Sequence, residues 1–232
     1  MQKVVMSMLM VLAAAGANAE QASLLVYQVW EKGTEPYISR VLVTPDYVRL
    51  DEGSNANGYT LFDRQQEILY NVLMEDKSIF VMNPTTEVVP EKQPGLILEE
   101  EIKSDTEAPS VVGKQPLDVR LLANGEECGN LVVIDGVMED AVEGLSELKQ
   151  VLARIQAATL EAMPLDLRTP CDMATNIYQA DWTLRFGLPL HERAEGRSQS
   201  LVDFSEDFDV EPEVFTLPKG FSRRSMFSAS GI

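Results

Sequence analysis

Between Val137 and Thr159 the apolar residues Met138, Ala141, Val142, Leu145, Leu148, Val151, Leu152, Ile155 and Ala158 recur every three or four positions. That is the spacing of one face of an α-helix. Glu139, Asp140, Glu143, Glu147, Lys149, Gln150 and Arg154 fall elsewhere on the wheel. Nearly all the remaining chain has the pattern of short β-strands joined by turns. A long amphipathic helix among strands has one place to bury its stripe, the face of their sheet. The sequence therefore predicts an α+β fold with an antiparallel sheet, this helix across it, and a second, shorter helix between Asp166 and Ala180.

The strands follow from alternation and turn chemistry. Leu24 to Trp30 and Tyr37 to Thr44 are dense in apolar and aromatic residues, and Pro45-Asp46 turns the second of them. Tyr47 to Asp51 alternates, Asn57-Gly58 is a strong turn pair, and Tyr59 to Asp63, Ile68 to Val72 and Ile79 to Met82 continue an antiparallel meander. After a break between Pro84 and Pro90, Leu96 to Leu98 forms a strand that leads into an exposed acidic excursion from Glu99 to Pro109. Leu117 to Leu121 and Leu131 to Ile134 precede the helix. Beyond it, Trp182, Leu184, Phe186 and Leu188 alternate with Thr183, Arg185 and Gly187, which predicts a half-buried strand. Ser200 to Phe204 and Phe208 to Val210 are extended, and the tail after Phe221 is expected to be loose.

Several strands are apolar on both faces, as in Leu24-Leu25-Val26, Ile68-Leu69-Tyr70 and Ile79-Phe80-Val81. An antiparallel sheet with one wet face alternates more cleanly than this. Such strands need cover on both sides, a curled sheet around an apolar space, or a partner surface. One helix is too narrow to cover eight or more strands spaced about 4.8 Å apart. Loops and the second helix are the plainest source of the remaining cover.

Residues 1–19 have the form of a cleavable export signal: Lys3, an apolar run from Val4 to Ala15, and the small-x-small triplet Ala17-Asn18-Ala19. Residues 20–232 are then expected to make one domain. The formal net charge of −18 becomes more negative once Lys3 is removed, which opposes long-range attraction to nucleic acid or anionic membrane surfaces. Two cysteines in an exported chain predict one disulfide, Cys128–Cys171, whose long loop is worth up to roughly 4 kcal/mol in the chain-entropy model.

The run Tyr47-Val48-Arg49-Leu50-Asp51, Gly58-Tyr59-Thr60-Leu61-Phe62-Asp63 and Glu67-Ile68-Leu69-Tyr70 resembles the strand meander of periplasmic lipoprotein-carrier (LolA/LolB-like) proteins. The ending Val210-Glu211-Pro212-Glu213-Val214-Phe215-Thr216-Leu217-Pro218-Lys219-Gly220-Phe221 is similar to the close of that group. The resemblance covers roughly Leu24 to Met82 and Trp182 to Phe221 and is nearest to an uncharacterised branch. It implies a curled, unclosed antiparallel barrel with helices over its concave face, where better-known members hold acyl chains. Joined to the helix stripe, it implies an apolar cavity lined by Leu145, Leu148 and Leu152 opposite Phe62, Tyr70, Trp182 and Phe186.

Catalytic signals are sparse. The single histidine, His191, lies near an expected turn and excludes a two-histidine metal motif. There is no Gly-rich phosphate loop and no Gly-x-Ser-x-Gly. Met138 and Met163 suit core packing better than copper binding, and Glu99-Glu100-Glu101 lacks the spaced ligands of a known Ca²⁺ loop. Neither a metal nor another cofactor is expected. The leading expectation is a periplasmic carrier or sensor for an apolar ligand or a lipidated partner. The alternatives are an interaction module of a cell-envelope complex and, third, a hydrolase using two acids. No later segment is apolar enough for an integral membrane protein.

If the leader is cut after Ala19, N-terminal sequencing of periplasmic protein will start at Glu20. Material that begins at Met1 would refute export by cleavage.

Overall fold

The computed structural model describes residues 20–53, 57–84, 95–104, 108–158, 160, 164 and 168–225. The expected leader, Thr159 and Met163 lie outside them, as do Asp105, Thr106 and Glu107 of the acidic stretch and Asp166 at the start of the second helix. Among the described residues the chain forms β1 (Glu20–Glu31), β2 (Tyr37–Val43), β3 (Tyr47–Asp51), β4 (Gly58–Asp63), β5 (Ile68–Leu73) and β6 (Ser78–Met82). Then come β7 (Leu98–Ser104), β8 (Leu117–Ala123), β9 (Glu126–Ile134), α1 (Glu139–Ala158), α2 (Pro170–Met173), β10 (Leu188–Ala194), β11 (Arg197–Val210) and β12 (Ser222–Ser225). These strands make one 12-stranded sheet in the order β12-β6-β5-β4-β3-β2-β1-β11-β10-β9-β8-β7. It is open, with β12 and β7 at its edges, and antiparallel except where β12 runs parallel to β6.

Short turns explain the meander β1 to β6 and the pairs β8–β9 and β10–β11, since a few residues can join only antiparallel neighbours, whereas β9 and β10 are neighbours with the whole α1–α2 segment between them. β1 joins the halves, pairing with β2 on one side and with the long β11 on the other. Its side chains alternate between two cores. Leu25, Tyr27 and Val29 face α1 together with Val41, Val43, Val48, Phe62 and Leu69. Ala22 and Leu24 face the other way, with Leu42, Leu61, Val210 and Phe215.

α1 lies over β1, β2 and β3. Its buried residues are Ala141, Gly144, Leu148, Val151, Ala153 and Ile155, while Val142, Leu145 and Leu152 are only partly buried against the same core. The helix is thus rolled toward its small residues. A β-carbon on Gly144 would stand 2.8 Å from Val43 Cγ1, so the absent side chain lets the helix approach the sheet closely. This offsets the roughly 1 kcal/mol that glycine costs in a helix interior. Arg64, in the β4–β5 turn, grips the helix through two hydrogen bonds to Glu147, at 2.6 and 2.9 Å, and donates a third to the Thr44 carbonyl. Arg154 and Glu67 repeat the tie at 2.7 Å.

α2 packs on β8 and β9, and the π-helical turn Ala174–Tyr178 that continues it lies beside α1. The Cys128–Cys171 disulfide joins α2 to β9, with 5.1 Å between the α-carbons. Beneath this segment is a third core of Val119, Leu121, Leu131, Val133 and Trp182. The two helical pieces share the covering that one helix is too narrow to provide.

Several expectations need correction. Trp182 to Phe186 is not a strand: Trp182–Leu184 is a 3₁₀ turn with three consecutive buried residues, and β10 begins at Leu188. Trp182 is drawn into the third core and donates its indole N–H to Glu100 at 2.7 Å, an attraction that outweighs the period-two pattern. Glu99 to Ser104 is an edge strand rather than an excursion, because β8 satisfies one side of its backbone. The tail is not loose at Ser222–Ser225, which pairs with β6. The second helix is shorter than expected, and His191 lies in β10, with its Nδ1 2.8 Å from Ser200 Oγ, rather than near a turn.

Leu148 is 4% exposed at the centre of the main core. Leu148→Ala is expected to lower the unfolding free energy by about 2–5 kcal/mol, measured by denaturant titration. A loss well under 1 kcal/mol would mean that this side chain does not fill the core.

Candidate ligand recess beneath the helix

The two faces of the sheet differ in how completely they are closed. On the face away from α1 the segment after β11 acts as a strap. Its 3₁₀ turn Pro212–Phe215 buries Phe215, which stacks on Tyr47 with ring centres 6.0 Å apart. Arg49 donates to the Val214 carbonyl at 2.6 Å and lies 3.7 Å over the Tyr59 ring, whose hydroxyl donates to the Thr216 carbonyl at 2.9 Å. Asp51 anchors this arrangement, accepting from Arg40 at 2.8 Å twice, from Arg49 at 2.7 Å and from the Gly53 N–H at 2.9 Å. Burial alone would raise the Asp51 carboxyl, but the hydrogen bonds from Arg40, Arg49 and Gly53 outweigh it and hold the group below the ordinary aspartate range.

The helix-bearing face leaves two adjoining recesses that share Ser39 and Leu50. The inner one, about 170 Å³, lies under α1. Leu145, Val41, Leu50 and Leu184 give it apolar walls, and Lys149, Thr183, Glu192, Arg197 and Gln199 give it a polar side. Tyr27 stands in its wall and donates to the Pro189 carbonyl at 3.1 Å. Burial pushes that phenol well above its usual range, and Glu192 adds to the effect. The outer recess, about 400 Å³, is bounded by Tyr37, Thr60, Asn71 and Leu73. Glu31 links the two rims, accepting from Tyr37 at 2.9 Å and from Arg197 at 3.0 Å. These bonds hold its carboxyl below the usual range.

Of the seven expected lining residues, only Leu145 borders either recess. Leu148 and Phe62 are buried in the main core and Leu152 packs against it. Tyr70 packs on the strap side, and Trp182 and Phe186 belong to the core beneath α2. The expected constellation is therefore split among three cores, because its members come from opposite faces and opposite ends of the sheet. Sequence reasoning missed Tyr27, Lys149 and Thr183. One signal was present: Lys149 follows Leu145 by four positions and so shares its side of the helix.

Glu99, Glu100 and Glu101 do not converge. Glu100 accepts from Trp182 and Arg185, while Glu101 pairs with Arg120. Among the described residues no group of three or more histidine, cysteine or carboxylate side chains is placed to hold a metal ion. No helix among them is long and apolar enough to cross a membrane.

No protein-family model matches the chain, and no curated protein matches it. Among solved structures it is similar to an uncharacterised conserved protein from Thermus thermophilus, with 12% identity and a TM-score of 0.44 over 88% of this chain and 90% of that one.

The depressed carboxyl of Asp51 gives a signed pH dependence. Its contribution to stability is full above the ordinary value of 3.8 and is lost as pH falls through the lower folded value. The stability difference between wild type and Asp51→Asn is expected to be on the order of 3 kcal/mol at neutral pH. It should narrow only under acid conditions below that ordinary value. Denaturant titrations of both proteins across pH check this, and a difference already lost at about pH 5 would contradict a depressed carboxyl.

Proposed function

We propose that this protein is an exported binding or carrier protein of the lipoprotein-carrier type. In this reading it takes an apolar ligand or the acyl part of a lipidated partner under α1, on the concave side of a curled sheet. The observation that carries the reading is the pair of adjoining recesses on the helix-bearing face. The outer one falls within the range of about 300–1,000 Å³ usual for ligand sites, and the inner one gives an apolar chain a route beneath the helix. The partly buried Leu145 forms one wall of that route. The leader-like N-terminus and the Cys128–Cys171 bridge support an oxidising, periplasmic location. The chain acts by binding rather than by catalysis, with no cofactor and no nucleic acid among its partners.

A second reading, an interaction module of an envelope complex, rests on the edge strand β7, where Ile102 is 51% exposed and the residue just before the strand, Ile97, is 61% exposed. The acidic side chains Glu99 and Glu101 along the same edge oppose indiscriminate strand pairing.

Solvent extraction of purified protein followed by mass spectrometry is expected to release an aliphatic ligand. The stripped protein should bind the neutral apolar probe N-phenyl-1-naphthylamine. Leu145→Trp, which fills the inner recess, should weaken probe binding about tenfold or more while thermal unfolding shifts by only a few degrees. Stripped wild-type protein that binds no probe, together with a protein that co-purifies stably, would replace the carrier reading with the interaction module.

A further inference from the structure

The inner recess has a local charge opposite to that of the molecule. The whole chain carries a net charge of −18, yet the ionisable groups around this recess are Lys149, Arg197, Glu192 and the phenol of Tyr27. Arg197 is already paired with Glu31 at 3.0 Å, and Glu192 accepts from the Gln199 amide at 2.8 Å. Lys149 is different. Its ammonium donates to the Thr183 hydroxyl at 2.9 Å, and among the described residues no carboxylate lies within ion-pair distance of it. The carboxylate of Asp181 accepts from Ser146 and Gln150 through Oδ2, at 3.2 and 3.1 Å, and is not paired with Lys149.

The position is built rather than incidental. Thr183 is buried on the 3₁₀ turn pinned by the fully buried Trp182. Lys149 is half-buried on α1 one turn beyond Leu145, which forms the apolar wall. An ammonium has three donors; this one spends one on a neutral hydroxyl and, among the described residues, forms no ion pair, Glu192 of the same recess being bonded to Gln199 instead. A half-buried cation in that state is stabilised by an anion that completes its hydrogen bonds.

We propose, on the basis of the carrier reading above, that the ligand is a single aliphatic chain ending in a carboxylate. Its head group is held by Lys149 beside Thr183, and its chain runs along Leu145, Val41 and Leu50 toward the outer recess. A carboxylate brings one negative charge, which Lys149 balances. A phosphate monoester brings up to two and meets Glu192 on the same wall.

The test displaces N-phenyl-1-naphthylamine from stripped full-length protein with dodecanoate, dodecanol and dodecyl phosphate. Wild type is expected to prefer dodecanoate over dodecanol by about tenfold or more, the worth of a charge-assisted hydrogen bond. Lys149→Met should abolish that preference by weakening dodecanoate alone, and Lys149→Arg should retain it. Equal affinities in wild type, or a preference that survives Lys149→Met, overturn the head-group assignment and leave the carrier reading standing. Tighter binding of dodecyl phosphate than of dodecanoate overturns the carboxylate. Wild-type protein that takes up neither the probe nor any of the three chains overturns both the assignment and the carrier reading.

Discussion

The structure depends on β1 being buried on both of its faces. A strand in the middle of a sheet has its backbone satisfied on both edges, so what remains to be settled is where its side chains go. In β1 they go to two cores at once: Leu25, Tyr27 and Val29 under α1, and Ala22 and Leu24 under the C-terminal strap. Either cover alone would leave apolar surface in water on the other side, at about 25 cal/mol per Å². The helix, the strap and the disulfide-tethered α2 are therefore linked parts of one solution, a broad sheet clothed on both faces by short pieces of chain.

The helix and the strap are each fastened by an arginine that reaches from the sheet or its turns. Arg64 holds α1 through Glu147, and Arg49 holds the strap through the Val214 carbonyl. Guanidinium groups suit this task because their planar fork engages a carboxylate in two places and still donates to a carbonyl. In a chain so rich in acid, these basic residues act as clasps, and the surplus of carboxylates remains on the surface. Lys149 stands apart, since it is half-buried beside a recess and, among the described residues, has a hydroxyl rather than a carboxylate for its partner.

Much of the strand framework was legible beforehand. β2 to β6 follow the alternation and turn residues closely, because hairpins are encoded by neighbours in the chain. α1 occupies nearly the span that its apolar spacing marks, and the cysteine pairing follows from there being only two. Reading failed where a distant contact outbid a local pattern. Trp182 leaves its alternating run to fill a core and reach Glu100, and Ser222–Ser225 becomes a strand only because β6 has a free edge beside it. The recess failed for a related reason. Leu148 and Leu145 lie on the same stripe, and nothing in their spacing distinguishes the one that packs from the one that borders a space. Gly144 rolls the helix and settles the matter.

By itself the sequence determined the meander from β1 to β6, that one long helix must lie on a sheet, that the two cysteines pair, and that the strands are too apolar for a one-sided sheet. These are consequences of period, turn chemistry and composition, all local or additive along the chain. Only the tertiary structure decided which face is sealed by the strap and which keeps a recess. The same holds for the division of the expected lining among three cores and for the placing of Lys149 against Thr183. Those outcomes depend on how closely α1 approaches the sheet and on contacts between residues far apart in sequence, and no periodicity records them.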